Sequence, residues 1–466
     1  MEEIASAAKK TAGRATQRCI APGCGGTYAL TDRIYVCVRC GGPLEIEIAA
    51  GTVPDAAALR EKWRARAASA EPKDRSGVWR YRELLPFDPA DAVTLFEGNT
   101  PLYDAPRCAE YCEIDALRLK HQGCNPTGSF KDTGMTVAVT HAVMLGAEAA
   151  ICASTGNTAA SLAAYSARAR LKCAILVPHG QISAAKLAQS MDYGAAIYEI
   201  EGNFDDCMRL VQELGDDSSI YVANSINPFR IEGQKTVAFE LMQQCGWRVP
   251  DHMVMPGGNL GNSSAFGKGF RELRSVGLID RIPRLHVIQA EGSAPFARLF
   301  TELKAGKNAS PEDLPETMAI EPRPRTLATA IKIGAPVSWK KSLRAVLQSG
   351  GEVIAVTEQD IADAKAMIGR EGIGCEPASA TTVAGIRRLA AAGTIRRDED
   401  VVAVLTGHVL KDPDYVSRYH RGTLSLASDS GDGKPEQKID GAFRNYPEQV
   451  AASKAAVLER LKSRKG

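Results

Sequence analysis

HMVMPGGNLGN, His252 to Asn262, runs from apolar residues through a glycine-rich turn into helix-compatible sequence. The first part, HMVMPG (252–257), reads as a strand of a parallel sheet, since strands covered on both faces show continuous apolar runs. The second, PGGNLGN (256–262), reads as a strand-to-helix loop whose backbone N–H groups cradle a phosphate. It is not a Walker loop, because no Gly-Lys-Ser/Thr follows. It also lacks the full glycine spacing of the dinucleotide fingerprint.

The same grammar recurs on either side. LRLK (117–120), AAICAS (149–154), CAILVP (173–178), AAIYEI (195–200) and LHVIQA (285–290) are predicted strands. Helices are predicted over 131–145, 157–169, 183–192, 204–214, 232–245 and 262–276. This alternation specifies an α/β protein with parallel layers. A proline-rich stretch at 305–325 reads as a structureless spacer before a second α/β block that ends near 420. Residues 55–70 read as a helix leading into the main body, and residues 1–18 as a loosely attached arm. The expected organisation is a small cysteine-bearing ribbon over 19–48, a main α/β body over 80–425 and a tail over 426–466. The tail is linker-like at SDSGDGKPEQK (428–438) and closes on a surface helix.

The composition narrows the function classes. Of 466 residues, 44% are apolar and 24% charged, ordinary for a globular chain. A net charge of +2 supplies no field for nucleic acid or anionic membrane. No run of 18 apolar residues appears, and MEEIASAAKK lacks the apolar segment of a secretion signal. Four of twelve cysteines cluster near the start while the others are scattered, which fits reduced thiols plus one metal site and a cytoplasmic location. The cluster is Cys19 and Cys24, then twelve residues, then Cys37 and Cys40, each pair on a glycine-containing turn. Four thiolates suit tetrahedral Zn²⁺ in a closed structural site with no position left for water.

One lysine stands in unusual company. NPTGSFKDTGM (125–135) places Lys131 among small and turn-forming residues where a helix begins. STGNT (154–158) also closes a strand and opens a helix, and LTGH (405–408) ends a strand with Thr406. Ligands of open α/β sheets gather at such carboxyl ends. An amine beside a phosphate cradle is what pyridoxal phosphate (PLP) chemistry requires: the amine forms a Schiff base and the ring serves as electron sink.

Over residues 93–415 the chain resembles the threonine synthases, within the tryptophan-synthase-β-like fold type II PLP enzymes. The resemblance rests on EGNTPL (97–102), NPTGSFKD (125–132), ASTGNT (153–158), NSINPFRIEGQKT (224–236), GNLGN (258–262), TLATAIKIGAPVSW (326–339), GIGCEPASA (372–380) and LTGHVLKDP (405–413). It implies two interleaved parallel α/β domains, and an N-terminal zinc ribbon occurs in some members. It implies that Lys131 carries the cofactor and shuttles protons. Asn157 would bond the ring hydroxyl, Gly258, Asn259, Leu260, Gly261 and Asn262 the cofactor phosphate, and Thr406 the pyridine nitrogen. Ser154, Thr155 and Thr158 would take the substrate α-carboxylate. Lys186, Asn224, Ser225 and Arg230 would take a substrate phosphate.

The implied protein is a homodimeric carbon–oxygen lyase converting O-phospho-L-homoserine and water to L-threonine and phosphate. Two other readings stand beside it: a cysteate-synthase-like replacement on O-phosphoserine, and a non-catalytic zinc-ribbon binding protein on the same fold. Two departures bear on the choice. Thr133 stands where the family usually has arginine, and Val409 where it usually has glycine. His121 and His408 lack the spacing of a metal pair and are expected to be structural.

Overall fold

The computed structural model describes residues 13–180, 184–306, 310–428 and 435–463, without the side chains of residues 50 and 184–186. Its first unit is a three-stranded antiparallel sheet of β1 (Ala15–Cys19), β2 (Thr27–Tyr28) and β3 (Leu44–Ile48), in the order β2-β1-β3. β1 pairs with β3 along its whole length, from Ala15↔Ile48 to Cys19↔Leu44. Residues 15–18, expected to be part of a loose arm, are therefore strand; residues 1–12 lie outside the described residues. The strand alternates in burial, with Ala15, Gln17 and Cys19 turned inward. Gln17 is fully buried because its amide donates to the Ala29 and Asp32 carbonyls, both at 2.8 Å. A polar residue on the buried face hid the period-2 pattern from sequence inspection.

The body holds two further sheets. Strands β4 (Leu102–Asp104), β5 (Leu117–His121), β10 (His252–Pro256), β11 (Arg284–Ala290), β12 (Val353–Val356) and β13 (Val401–Leu405) form one in the order β12-β11-β10-β13-β5-β4. All its pairs are parallel except β4 on β5. Strands β6 (Ala149–Ala153), β7 (Lys172–Pro178), β8 (Ala196–Ile200) and β9 (Ile220–Val222) form an all-parallel sheet in the order β8-β7-β6-β9. Every residue of β10 and β13 is buried, as their apolar runs require of central strands.

The proline-rich stretch does not end one sheet and start another. β11 before it and β12 after it are adjacent parallel strands, Val287↔Val353 to Ala290↔Val356. The stretch is pinned to the body through Arg325 N–H on Gly292 O (2.7 Å) and Glu321 N–H on Gly334 O (2.9 Å). The linker-like tail also carries structure: Gln437–Lys438 pairs with Ser425–Leu426, and Ile439 is buried against Tyr415 and Tyr419. The terminal helix, Lys454–Ser463, buries no residue.

Five helices position the site: α1 (Lys131–Met144), α2 (Asn157–Ala169), α3 (Ala184–Asp192), α4 (Pro228–Gln234) and α5 (Gly261–Ser275). The helix expected over 232–245 is two, α4 and Thr236–Gln244, meeting at Lys235. α4 begins early because Asn227 caps it, accepting from Phe229 N–H at 3.0 Å, and Pro228 follows the cap. α1 and α4 touch backbone to backbone. A methyl group on Gly233 would lie 1.8 Å from the Thr133 carbonyl oxygen, and one on Gly134 2.7 Å from the Arg230 carbonyl oxygen. Small residues thus let the helix headed by Lys131 lie against the helix that carries Arg230. Gly233→Ala is expected to destabilise the protein by about 1–3 kcal/mol through overpacking. Gly369→Ala, at an exposed helical site with open space around it, is expected to stabilise by about 0.5–1 kcal/mol. Urea denaturation midpoints of the two variants decide whether the contact or the residue type sets the cost.

Candidate active site

Three segments distant in sequence are joined through backbone bonds at the carboxyl ends of β5 and β13. Phe130 N–H donates to Thr406 O at 2.9 Å, and His408 N–H to Gly128 O at 2.9 Å. Ser129 bridges Gly407, while Cys375 bridges His408 and Glu376 N–H donates to Gly407 O at 3.0 Å. The loop before Lys131, the LTGH turn and the GIGCEPASA segment thereby form one platform. Asp132 locks the turn beneath it. Its carboxylate accepts from Thr127 N–H (2.7 Å), Thr127 Oγ1 (2.6 Å) and Ser161 Oγ (2.7 Å), the last on α2.

Lys131 opens α1, its ammonium 3.9 Å from the centre of the Phe130 ring. Burial and then the Arg230 guanidinium lower its pKa to about 7, against a smaller opposing pull from Glu376. A fully buried carboxylate that sequence alone does not mark out, Glu376, holds Asn157 and Thr406 together. It accepts from Asn157 Nδ2 at 3.0 Å through one oxygen and from Thr406 Oγ1 at 3.0 Å through the other. Burial raises the Glu376 pKa, opposed by those two hydrogen bonds. Gly407 must lack a side chain, since a methyl there would lie 2.3 Å from the Glu376 carboxyl carbon. Ser379 Oγ completes the group by accepting from Thr406 N–H (2.8 Å) and Gly407 N–H (3.2 Å). Glu376 lies inside a quoted motif, yet only the folded platform turns it toward Asn157 and Thr406.

Residues 258–262 follow β10 and lead into α5. Leu260 takes the left-handed conformation, φ 63°, and no side chain caps the helix. A non-glycine residue held there stores about 1–3 kcal/mol of strain, a cost tolerated mainly at binding loops. Asn259 is held by Ser338 N–H on its carbonyl at 3.1 Å. Asn262 is buried with neither its side-chain nitrogen nor its oxygen bonded among the described residues.

The other predicted positions gather at the carboxyl ends of β6 and β9. Ser154 and Thr155 form the turn into α2, where Ser154 Oγ accepts from Gly156 N–H at 3.2 Å, and Thr158 is buried in the first turn. Asn224 exchanges two 3.0 Å bonds with the Ala153 backbone, which fixes it beside that turn. Ser225 follows, half-buried. Arg230 is buried in α4, donating to Ala223 O at 3.1 Å and leaving Nε without a partner among the described residues. Lys186 lies on α3, and its side chain is outside the described residues. Its helix is tied to the Lys131 loop, because Gln189 donates to Thr127 O (3.1 Å) and accepts from Lys411 Nζ (2.5 Å).

The two departures leave these groups in place. Thr133 Oγ1 donates to Phe130 O at 2.9 Å, and the Val409 side chain stands against Gly374. His121 and His408 are structural: His121 Nε2 meets Gly374 O at 2.9 Å, and His408 Nδ1 accepts from Leu410 N–H at 3.2 Å. Away from this centre, the sulfurs of Cys19, Cys24, Cys37 and Cys40 all lie within 4.8 Å of one another. A hydrogen bond with the Tyr28 hydroxyl, 3.0 Å away, lowers the Cys37 thiol to about 6. No helix among the described residues is long and apolar enough to cross a membrane.

Residues 93–407 match the family model described as pyridoxal-phosphate dependent enzyme. The chain is 46% identical over 415 residues to a threonine synthase of Methanocaldococcus jannaschii, covering 89% of this chain and 97% of that one. It is 45% identical over 397 residues to a threonine synthase of Methanosarcina acetivorans, covering 84% and 92%. Among solved structures, the fold is shared with an L-serine ammonia-lyase of Rhizomucor miehei, at a TM-score of 0.58, 18% identity and coverage of 70% and 99%. It is shared likewise with the processed threonine deaminase isoform 2 of Solanum lycopersicum, at 0.57, 17%, and 77% and 86%. Matched over most of its length by that family model and by these relatives, the chain belongs to the pyridoxal-phosphate dependent enzymes and, among them, to the threonine synthase family.

Proposed function

We propose that this chain converts O-phospho-L-homoserine and water to L-threonine and phosphate, with PLP held at the platform around Lys131. The observation that carries the reading is the convergence of a lysine of lowered pKa with Asn157 and Thr406 on one buried carboxylate. The residues fit the cofactor. Asn262 offers a buried donor and acceptor with no partner among the described residues, beside the amino end of α5, a natural seat for a phosphate. Gly258, Asn259, Leu260, Gly261 and Asn262 would hold that phosphate, Asn157 the ring hydroxyl and Thr406 the ring nitrogen. Bound PLP supplies the electron sink that makes protons of the substrate labile.

The chain's own groups do the rest. Lys131 Nζ would hold the cofactor and take and return protons, for which a pKa near neutrality is suited. Glu376 keeps the Asn157 and Thr406 side chains in one orientation. The open amino end of α2, with Ser154, Thr155 and Thr158, takes the α-carboxylate. Arg230 with Asn224, Ser225 and Lys186 takes the substrate phosphate, a group matched by cationic fork donors. Four sulfurs gathered within 4.8 Å suit one tetrahedral Zn²⁺, whose thiolates stand about 3.8 Å apart, and the site leaves no ligand position for catalysis. A cytoplasmic homodimer is the assembly we assign, with an isologous interface.

Lys131→Ala is expected to lower phosphate release from O-phospho-L-homoserine by about a thousandfold or more and to abolish borohydride trapping of the cofactor. Retention of full activity removes the reading. A second expectation concerns pH. The neutral amine is the nucleophile, so PLP uptake by the cofactor-free protein should accelerate as pH rises, with a midpoint near 7. A midpoint in the ordinary lysine range, followed by absorption spectroscopy, contradicts the described surroundings of Lys131. Third, Cys37→Ser combined with Cys40→Ser should lose one zinc per chain by metal analysis and still bind PLP through Lys131. Zinc retained in that variant means the ligands lie elsewhere.

A further inference from the structure

β9 is an edge strand of its sheet, so N–H groups on its outer side meet no strand among the described residues. Ala223 N–H points inward, to Ile151 O at 2.9 Å, and alternation turns Val222 N–H outward. That outward donor is met by Tyr35 Oη of the cysteine ribbon at 2.9 Å. The carbonyl of the same residue is held on that outer edge as well, because Val222 O accepts from Asn227 Nδ2 at 2.8 Å, and Asn227 caps α4. Next along the chain, Asn224 is bonded to Ala153 and Arg230 to Ala223 O. The ribbon therefore fastens the strand end from which these groups are hung.

A second contact reaches the same segment. His141, on the helix that Lys131 opens, is buried, and burial lowers its pKa to about 3, so its ring is neutral. Its Nε2 lies 2.9 Å from Leu30 O, a group that only accepts. Nε2 must carry the proton, which leaves Nδ1 to accept from Tyr221 Oη at 2.9 Å. The ring stacks on Phe229, the neighbour of Arg230, with centroids 3.6 Å apart. Arg33 adds a bond to the Leu145 carbonyl beyond the end of α1. The ribbon loop that supplies Leu30, Arg33 and Tyr35 is itself shaped by the cysteine cluster, with Gln17 on Ala29 and Asp32 and Tyr28 on Cys37.

We infer that the ribbon is a positioning element for the phosphate end of the substrate, with Tyr35 as its principal contact to the β9–α4 segment. This rests on the assignment of Asn224, Ser225 and Arg230 to the substrate phosphate. Tyr35→Phe keeps the aromatic contact with Tyr221 and removes the acceptor for Val222 N–H. In the holoenzyme this variant should raise both KM for O-phospho-L-homoserine and Kd for inorganic phosphate about fivefold, with kcat and the cofactor absorption spectrum unchanged. Unchanged KM and phosphate affinity overturn the inference, as does a loss confined to kcat and cofactor content. Arg230→Gln is the reference, with Ser225→Ala in its place where the first does not fold. Undiminished phosphate binding in the reference variant brings down the phosphate-site assignment. Weakened binding there, with none in Tyr35→Phe, brings down only the role of the ribbon.

Discussion

The short backbone ladder that joins Ser129 and Phe130 to Thr406 and Gly407 makes one site out of two distant regions of chain. It sets the lysine that opens α1 against the hydroxyl that ends β13. The second rung, through Glu376 and Gly407, sets a carboxylate between that hydroxyl and Asn157. Each bond is ordinary, but together they define positions that no side chain contact could hold alone. The backbone contact of α1 with α4 extends the arrangement to Arg230, whose charge helps depress the lysine.

Buried carboxylates brace the frame around this ladder. Glu97 takes hydrogen bonds from Ser76, Thr94 and Tyr165, and Glu240 from the Asn99 and Thr100 N–H groups and from Lys120. A buried carboxylate is tolerated only where its lone pairs are met, and removing one partner of a buried ion pair such as Lys120–Glu240 typically costs about 3–5 kcal/mol. Glu97, and Asp132 beneath the Lys131 turn, belong to motifs read as functional: Glu97 opens EGNTPL and Asp132 closes SFKD. Their contacts are structural. Motif membership thus marks both the groups that face a ligand and the groups that hold the frame.

Much of this was legible beforehand. The central strands declared themselves because burial on both faces leaves no place for polar residues, as in HMVMP and VVAVL. Lys131 and the glycine loop stood out through turn chemistry at strand ends. What escaped notice depended on partners remote in sequence. β1 was hidden because the amide nitrogen of buried Gln17 donates to carbonyls of a later loop. Glu376 looks like any residue ahead of a helix until Gly407 and Thr406 fold over it. The proline-rich stretch resembled a boundary because local composition does not reveal that its flanking strands are neighbours.

The strand order also carries a consequence for synthesis. The four-stranded sheet is drawn from one continuous stretch, 149–222, and has all its strands once that stretch leaves the ribosome. The six-stranded sheet is drawn from both ends of the body. β5 borders only the short β4 until β13, residues 401–405, is made and slips between it and β10. Closing such a long loop lets the nascent chain hold a finished small layer while the larger one waits with open edges. The platform around Lys131, which needs β13, is among the last parts to be assembled, so a truncated chain ending short of residue 401 carries the lysine without Thr406 and Gly407.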